Sequence, residues 1–178
     1  MLEDNGVKGP GMGQPPPSVA FMVSRLGFEV STKLAEGLAP LGIEPRHFGL
    51  LRALAHAEGE SQRSIGLSLN IPPNRMVTLV DDLEKRRLVR RRPHPRDRRA
   101  HALYLTPAGE RLLGKALEVA IGVEAGLCAG LEPAEREQLL GLLARLTQPG
   151  QARPGVHPGL SAPARPDAAQ RRPARGSA

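Results

Sequence analysis

Apolar residues recur every three or four positions along much of the chain, a spacing typical of amphipathic helices. The first predicted helix follows Ser18, a residue type that caps helix N-termini, and it stops at Pro40 and Gly42. A second helix is predicted to begin at Pro45, which suits a first helical position, and to end at Gly59. Each predicted helix carries an apolar stripe, so each is expected to bury one face.

Two further helices are predicted with a tight turn between them. Ser61 can cap the third, and Asn70-Ile71-Pro72-Pro73 forms the turn into the fourth. The fourth helix has its apolar residues on one side and ends in the basic residues 85–87, which are favourable charges at a helix C-terminus. A short helix, a tight turn and a longer helix predict a helix-turn-helix unit.

The pattern then changes to the period of strands. Residues 88–92 and 100–105 are β-rich runs around a proline-rich turn at 93–97, which predicts a hairpin. Two more helices are predicted to start at Thr106-Pro107 and at Glu132-Pro133. The predicted fold class is mainly α with a small β-hairpin wing: a winged helix-turn-helix head plus a helical dimerisation region.

Composition divides the chain into three predicted segments. Residues 1–17 are rich in Gly and Pro and predict a flexible N-terminal arm. Residues 18–148 form the predicted winged helix-turn-helix DNA-binding and dimerisation domain. Residues 149–178, rich in Pro, Ala and Arg, predict a disordered basic tail.

Several classes of protein are disfavoured by what the sequence lacks. It has no run near the roughly 20 apolar residues that span a bilayer, no secretory signal, and a single cysteine, Cys128, which predicts a cytoplasmic protein without a membrane partner. The five histidines are scattered, so no metal site is expected. Residues 109–115 resemble a phosphate-binding loop, but Ala116 follows where a hydroxyl is needed. The prediction is a protein that is not an enzyme and needs no cofactor.

Positive charge is concentrated in one segment. Residues 85–99 contain nine basic side chains and one acidic one, a net charge of +8, whereas the whole chain carries +7. The remainder is therefore slightly acidic. A basic segment directly after a helix-turn-helix pattern predicts contact with the phosphate backbone of double-stranded DNA.

The fourth helix offers hydrogen-bonding side chains on the face opposite its apolar stripe. Asn74, Arg75 and Thr78 lie there, just after Pro73 at the start of the helix. Asn can pair with adenine and Arg with guanine through two hydrogen bonds each. These four residues are the predicted DNA-binding residues of the recognition helix.

Two motifs give a resemblance to the MarR-type regulators. Residues 97–109, DRRAHALYLTPAG, resemble the wing signature D-x-R-x-x-x-x-x-L-T-x-x-G of that family. Residues 79–89, LVDDLEKRRLV, are similar to the end of its recognition helix, L-V-D-x-L-E-x-x-G-L-V. Arg87 stands where a glycine is usual, which leaves the shape of the helix end open, and Pro72-Pro73 stands where polar residues are more common.

The resemblance implies roles for the wing. The Arg matching Arg99 reaches the minor groove from the wing tip, and the Asp matching Asp97 steadies it. This agrees with the attraction of arginine to narrow, strongly negative minor grooves. The predicted DNA-binding residues of the wing are the following: Arg91, Arg92, Arg96, Asp97, Arg98 and Arg99.

The resemblance also implies a homodimer formed through the first, fifth and sixth helices, and an effector pocket bordered by His47 and His56. Small aromatic or lipophilic compounds are the effectors it suggests, and repression of a near-palindromic operator is the commoner outcome. Each histidine could instead be a partly exposed polar residue of the second helix. The alternative function is a non-specific nucleic-acid-binding protein of the chromatin type, which would use the basic segments without sequence preference.

Overall fold

The computed structural model describes residues 18–95 and 97–146, and only the backbone of Arg98 and Arg99. The helices of this part are α1 Val19–Leu38, α2 Pro45–His56, α3 Gln62–Ser68, α4 Pro73–Lys85, α5 Pro107–Leu127 and α6 Pro133–Leu146. The strands β1 Val89–His94 and β2 Asp97–Leu105 pair as an antiparallel hairpin. A short 3₁₀ helix, Ala39–Leu41, follows α1. The predicted fold class, mainly α with a small β-hairpin wing, is confirmed.

Side-chain caps fix the helix starts that the sequence predicted. The hydroxyl oxygens of Ser18, Ser61 and Thr106 each accept a hydrogen bond from the backbone N–H three residues further on, at 3.4, 3.0 and 3.1 Å. Each bond satisfies an N–H group that has no partner inside the helix. The starts of α1, α3 and α5 are therefore local properties of the sequence.

The end of the second helix differs from the prediction. Helix α2 ends at His56, and Gly59 lies in the following turn with φ +81°. The Gly59 N–H donates to the Leu103 carbonyl at 3.1 Å, and Ser61 forms a bridge with Ala102. Residues 59–61 thus pair with the free edge of β2. This long-range pairing takes the place of a further turn of α2.

The hairpin is longer than predicted. Its pairs run from Val89 opposite Leu105 to Pro93 opposite His101, and the last pair is His94 with Asp97. Residues 98–100 fall between two consecutive pairs and form a bulge near the turn. A bulge bends and twists a strand, and bulges are common where a strand re-aims its side chains.

The core lies where α2, α3, α4 and the hairpin meet the ends of α1 and α5. Fully buried large side chains come from the last turn of α1, from α2, from α3 and the residue after it, from α4 and from both strands. They are Leu38, Leu50, Leu51, Leu54, Ile65, Leu69, Met76, Leu83, Leu103, Val80 and Val89. We call residues 39–106 the head, and helices α1, α5 and α6 the arms.

The arms leave much of their apolar surface uncovered. Phe21, Phe28 and Ile121 are each more than 60% exposed, and α6 has no buried residue although it carries five exposed leucines. In α1 only Leu34 and Leu38, next to the head, are buried. None of the described helices is long and apolar enough to cross a membrane.

Candidate nucleic-acid interface

Helix α4 presents a polar face beside a well-anchored apolar one. Pro73 occupies its first turn, and Met76, Leu79, Val80 and Leu83 are buried in the head. The sequence-predicted residues of the opposite face are exposed, namely Pro73, Asn74, Arg75 and Thr78. The first turns of α4 therefore offer these side chains to a ligand while the buried stripe holds the helix in place.

Two of these polar groups also make local hydrogen bonds. The Asn74 Oδ1 accepts from the Arg75 N–H at 2.9 Å, and the Thr78 hydroxyl donates to the Asn74 carbonyl at 3.1 Å. The Pro72 side chain cannot cap the helix, so the Asn74 amide covers an N–H group that would otherwise face solvent. The Asn74 Oδ1 must give up its hydrogen bond with the Arg75 N–H if it is to accept a hydrogen bond from a base.

Arg92 stacks on an aromatic ring of the hairpin. Its guanidinium lies 5.3 Å from the centre of the Tyr104 ring, and that of Arg90 lies 5.9 Å away. Cation–π contacts of exposed arginines stabilise by about 0.5–1 kcal/mol. Tyr104 thus holds two positive charges on one face of the wing, where both remain exposed.

Arg91 points to the other face, toward the recognition helix. Its guanidinium donates to Glu84 Oε2, to Asp81 Oδ1 at 2.6 Å and to Gln62 Oε1 at 3.1 Å, and its backbone N–H donates to Glu84 Oε1 at 3.1 Å. The side chain is only 18% exposed. Arg91 therefore ties β1 to α3 and α4 and fixes the wing relative to the recognition helix.

The tip of the predicted wing is partly outside the described residues. Asp97 is exposed and opens β2 opposite His94. Arg98 and Arg99 lie in the bulged part of β2, but their side chains fall outside the described residues, as does the whole of Arg96. The roles of these arginines in DNA binding stay predictions.

The end of α4 has the left-handed backbone conformation that a glycine commonly adopts at a helix end. Arg87 has φ +58°, the Leu88 N–H donates to the Leu83 carbonyl at 2.9 Å, and the Arg87 N–H donates to the Glu84 carbonyl at 2.8 Å. This is the left-handed helix end in which glycine is common. The Thr106 hydroxyl secures it by donating to the Arg87 carbonyl at 2.7 Å.

The same junction explains the glycine of the wing motif. A Cβ at Gly109 would collide with the Leu88 carbonyl oxygen, so α5 can approach the end of α4 only with a glycine there. Leu105 is buried, Thr106 caps α5, and Gly109 allows the close approach. The motif L-T-x-x-G is thus a device that joins the hairpin, α4 and α5.

The two histidines of α2 differ in burial and in hydrogen-bond partners. His47 is buried; its Nδ1 accepts from the Glu44 N–H at 3.0 Å, and its Nε2 lies 3.3 Å from Asp82 Oδ2. Burial lowers the pKa of His47, and Arg46 adds to this effect. His56 is exposed, with its Nδ1 2.9 Å from the Arg52 carbonyl oxygen.

His47 lines a polar cavity of about 610 Å³ between the start of α2 and the outer side of α4. Its wall also contains Asn74, Arg75 and Thr78 of the predicted recognition face. The cavity therefore borders the candidate DNA-binding surface, and His56 does not take part in it.

A second, smaller cavity lies between the arms and the head. It measures about 160 Å³ and is lined by α1, α2 and α5, with Leu34, Phe48 and Val123 among its apolar residues and Arg52 and Glu124 as charged ones. None of these residues is among the site residues predicted from the sequence. Their apolar spacing was the only signal, and it is the same spacing that core residues have.

A short helix, a turn, a recognition-type helix and a hairpin fixed to it define a winged helix-turn-helix protein. The sequence model of the MarR family matches residues 41–100, the part that contains this unit. A regulator from Bacillus subtilis, YhbI, an HTH-type transcriptional regulator, is 32% identical over 130 residues, which is 72% of this chain and 84% of YhbI. A protein of Thauera aromatica assigned to transcriptional regulation of the hcr operon is 32% identical over 105 residues.

The Thauera match covers 59% of this chain and 63% of that protein. Among solved structures, the transcriptional repressor CouR bound to a 23-mer DNA duplex superposes with a TM-score of 0.67 at 30% identity, over 74% of this chain and 93% of CouR. CouR of Rhodococcus jostii has also been solved with p-coumaroyl-CoA bound, with a TM-score of 0.64 at 28% identity, over 76% of this chain and 96% of CouR.

The chain belongs to the MarR family, and it is a DNA-binding transcriptional regulator of that family. The predicted family is confirmed. The relatives are regulators and not enzymes, which supports the predicted non-enzymatic role.

Proposed function

We propose that this protein is a homodimeric repressor that binds a near-palindromic operator and is released by a small-molecule effector. The observation that carries the proposal is the Arg91 network, which holds a basic hairpin in a fixed position beside the polar face of α4. A helix of this size fits the major groove, and a wing fixed beside it reaches the neighbouring backbone and minor groove.

Individual residues take the following roles. Pro73, Asn74, Arg75 and Thr78 face base edges and phosphates of the major groove. Arg92, held on Tyr104, contacts the backbone, and Arg96, Arg98 and Arg99 reach the flanking DNA with Asp97 as a partner. Arg91 acts as a positioning residue, because its donors are directed to side chains of this chain and it is largely buried.

The arms support the dimer. Large exposed apolar surfaces mark protein–protein interfaces, and here they are confined largely to α1, α5 and α6. A second copy that interleaves the same helices would cover them symmetrically. Two heads would then read half-sites about one helical turn, roughly 10 base pairs, apart.

The effector is proposed to bind between arms and head. CouR, a relative of known structure, has been solved with p-coumaroyl-CoA bound. In this chain the cavity of about 160 Å³ joins α1, α2 and α5, so an aromatic or lipophilic compound there would act on both the arms and the head. Such a compound would change the spacing of the two heads and thereby lower DNA affinity.

The experiment is a binding selection from random duplex DNA at two salt concentrations, with the wild type, Arg99→Ala and Arg111→Ala. Arg111 is an exposed arginine of α5 outside the wing, so its substitution removes the same charge. We expect a near-palindrome that Arg99→Ala enriches less strongly and Arg111→Ala enriches normally. Binding without an enriched motif, decaying with salt alone, would instead indicate non-specific nucleic-acid binding.

A further inference from the structure

The head exposes two large apolar side chains. Between residues 39 and 106, within the part of the chain that the structure describes, Leu67 is 70% exposed and Val77 is 46% exposed. The other large exposed apolar residues lie on the arms or on the segment between α5 and α6. Leu67 and Val77 therefore belong neither to the core nor to the surface proposed for dimerisation.

Both residues line one cleft between the recognition helix and the wing. The cleft has a volume of about 660 Å³, and Leu67 of α3, with Pro73 and Val77 of α4, forms its apolar side. Ala100 and His101 of β2 lie across from them. The three apolar side chains, Leu67, Pro73 and Val77, are called the apolar patch below.

The apolar patch lies next to the residues proposed to read DNA. Val77 precedes Thr78 and stands one turn after Pro73 and Asn74, so a base pair in contact with these polar groups lies within reach of the patch. Polar and charged groups of a DNA edge gain nothing from an apolar surface. The one apolar group that the major groove presents is the C5-methyl of thymine.

We propose that the apolar patch, with Val77 at its centre, is a specificity site that binds the C5-methyl group of a thymine in each half-site of the operator. This inference rests on the proposed function, since it requires α4 to lie in the major groove. Contact with the methyl group removes apolar surface of both partners from water, which favours A·T over G·C at that position without a hydrogen bond.

The test uses the operator found by the selection described above and replaces its thymines one at a time by deoxyuridine. This exchange removes only the methyl group and keeps every hydrogen-bonding group of the base pair. Burial of one methyl group corresponds to about a fourfold change in affinity. We expect one thymine per half-site whose replacement weakens wild-type binding by about that factor, and other thymines without effect.

The protein side of the test is Val77→Ala, with Arg111→Ala as the control. Val77→Ala shortens the side chain at the proposed methyl site, whereas Arg111 is exposed on α5, outside the wing and the recognition helix. With Val77→Ala the uracil penalty at the sensitive position should disappear, whereas Arg111→Ala should retain it in full. Leu67→Ala should reduce the penalty in part.

The outcomes separate this proposal from the proposed function. A selected motif in which no thymine is sensitive to uracil would overturn the methyl site and leave the specific regulator standing. A uracil penalty that persists unchanged in Val77→Ala would also overturn it, because another part of the protein would then contact the methyl. Failure to select any motif would overturn both.

Discussion

The head and the arms of this protein are built on opposite uses of apolar residues. In the head, residues 39–106, most large apolar side chains are buried; Leu41 is partly buried, and among the described large apolar residues of the head only Leu67 and Val77 are exposed. In the arms, most of them are exposed, and α6 has no buried residue at all. The head buries most of its apolar side chains within its own fold. The arms instead carry an exposed apolar surface of the kind that another chain covers.

The head and the arms also differ in the contacts that stabilise them. The head is held by caps, a left-handed helix end, the Arg91 network and the buried His47. The described part of the arms has local contacts such as the Ser18 cap and the bond from the Glu132 N–H to Glu135, together with the exposed Lys33–Glu29 and Arg136–Glu124 ion pairs, and exposed ion pairs stabilise little. Changes in the head should therefore alter stability or DNA recognition, and changes in the arms should alter assembly.

The largest effect is expected from charges placed on the arms. In the double variant Phe28→Asp, Ile121→Asp, two exposed apolar positions receive carboxylates that a dimer interface would have to bury. We expect a monomer by light scattering and an operator affinity lower by about 100-fold or more, since binding through two linked heads is lost. The matched control is Leu67→Asp, an equivalent change on the head, which should leave the mass of the dimer unchanged. A dimeric mass for the double variant would contradict the assignment of the arms to assembly.

The next effect is a loss of stability at low pH that originates in the head. Burial, reinforced by Arg46, lowers the pKa of His47 against the opposing effects of Glu44 and Asp82, with Arg86 also nearby. The unfolded chain therefore takes up a proton at a higher pH than the folded one. Stability is complete above the ordinary histidine pKa of about 6.5 and falls below it by up to about 1.4 kcal/mol per pH unit, until the folded His47 is itself protonated.

Urea unfolding between pH 7.5 and 5 measures this loss. His47→Gln should flatten the profile, because an amide can accept from the Glu44 N–H and donate to Asp82 without taking up a proton. His56→Gln, at an exposed position of the same helix, should keep the wild-type slope. An unchanged slope in His47→Gln would assign the pH dependence to other groups.

A smaller effect on stability, with a distinct effect on DNA binding, is expected from Arg91→Ala. The variant removes the donors that pair Glu84, Asp81 and Gln62, and we expect a loss of about 1–2 kcal/mol in the free energy of unfolding. Specific DNA affinity should fall because the wing loses its fixed position, while the dependence of log K on log salt should stay that of the wild type.

Arg92→Ala is the matched control, since Arg92 is the exposed neighbour on the opposite face of β1. Loss of a phosphate contact there should lower the salt slope by about one per half-site. If Arg91→Ala lowers the slope as much as Arg92→Ala does, Arg91 contacts DNA directly, as the sequence alone predicted.

The smallest expected effect is a gain in stability from Arg87→Gly. Arg87 adopts φ +58°, and a side chain in that conformation costs about 1 kcal/mol relative to glycine. Thermal and urea unfolding should show a gain of that size, and Arg87→Ala, which removes the same charge but keeps the Cβ, should show none. Equal gains in both variants would assign the effect to charge and not to backbone conformation.

Local sequence determines much of the secondary structure. Ser18, Ser61 and Thr106 are hydroxyl residues directly before an apolar period, and each caps a helix where the sequence placed its start. The end of α2 was predicted too far along the chain, because Gly59 pairs with β2, and no local signal reveals a partner more than 40 residues away.

In the candidate interface, too, some features follow from local sequence and others do not. That Asn74, Arg75 and Thr78 lie on the exposed face of α4 follows from the helical period alone. Their neighbour Val77 was missed, because an apolar residue beside an apolar stripe is expected to be core, and only its 46% exposure reveals that it is not.

The sequence by itself determined the family, the order of elements, the cluster of positive charge and the polar face of the recognition helix, because each of these depends on residue type and spacing along the chain. Only the tertiary structure decided which of two neighbouring arginines is held inside the protein and which stays exposed on the wing. Arg91 and Arg92 are adjacent and chemically identical, yet the alternation of a strand points one into a cluster of acceptors and the other onto Tyr104. The surroundings that give each arginine its role are contributed by α3, α4 and β2, and they exist only after the chain has folded.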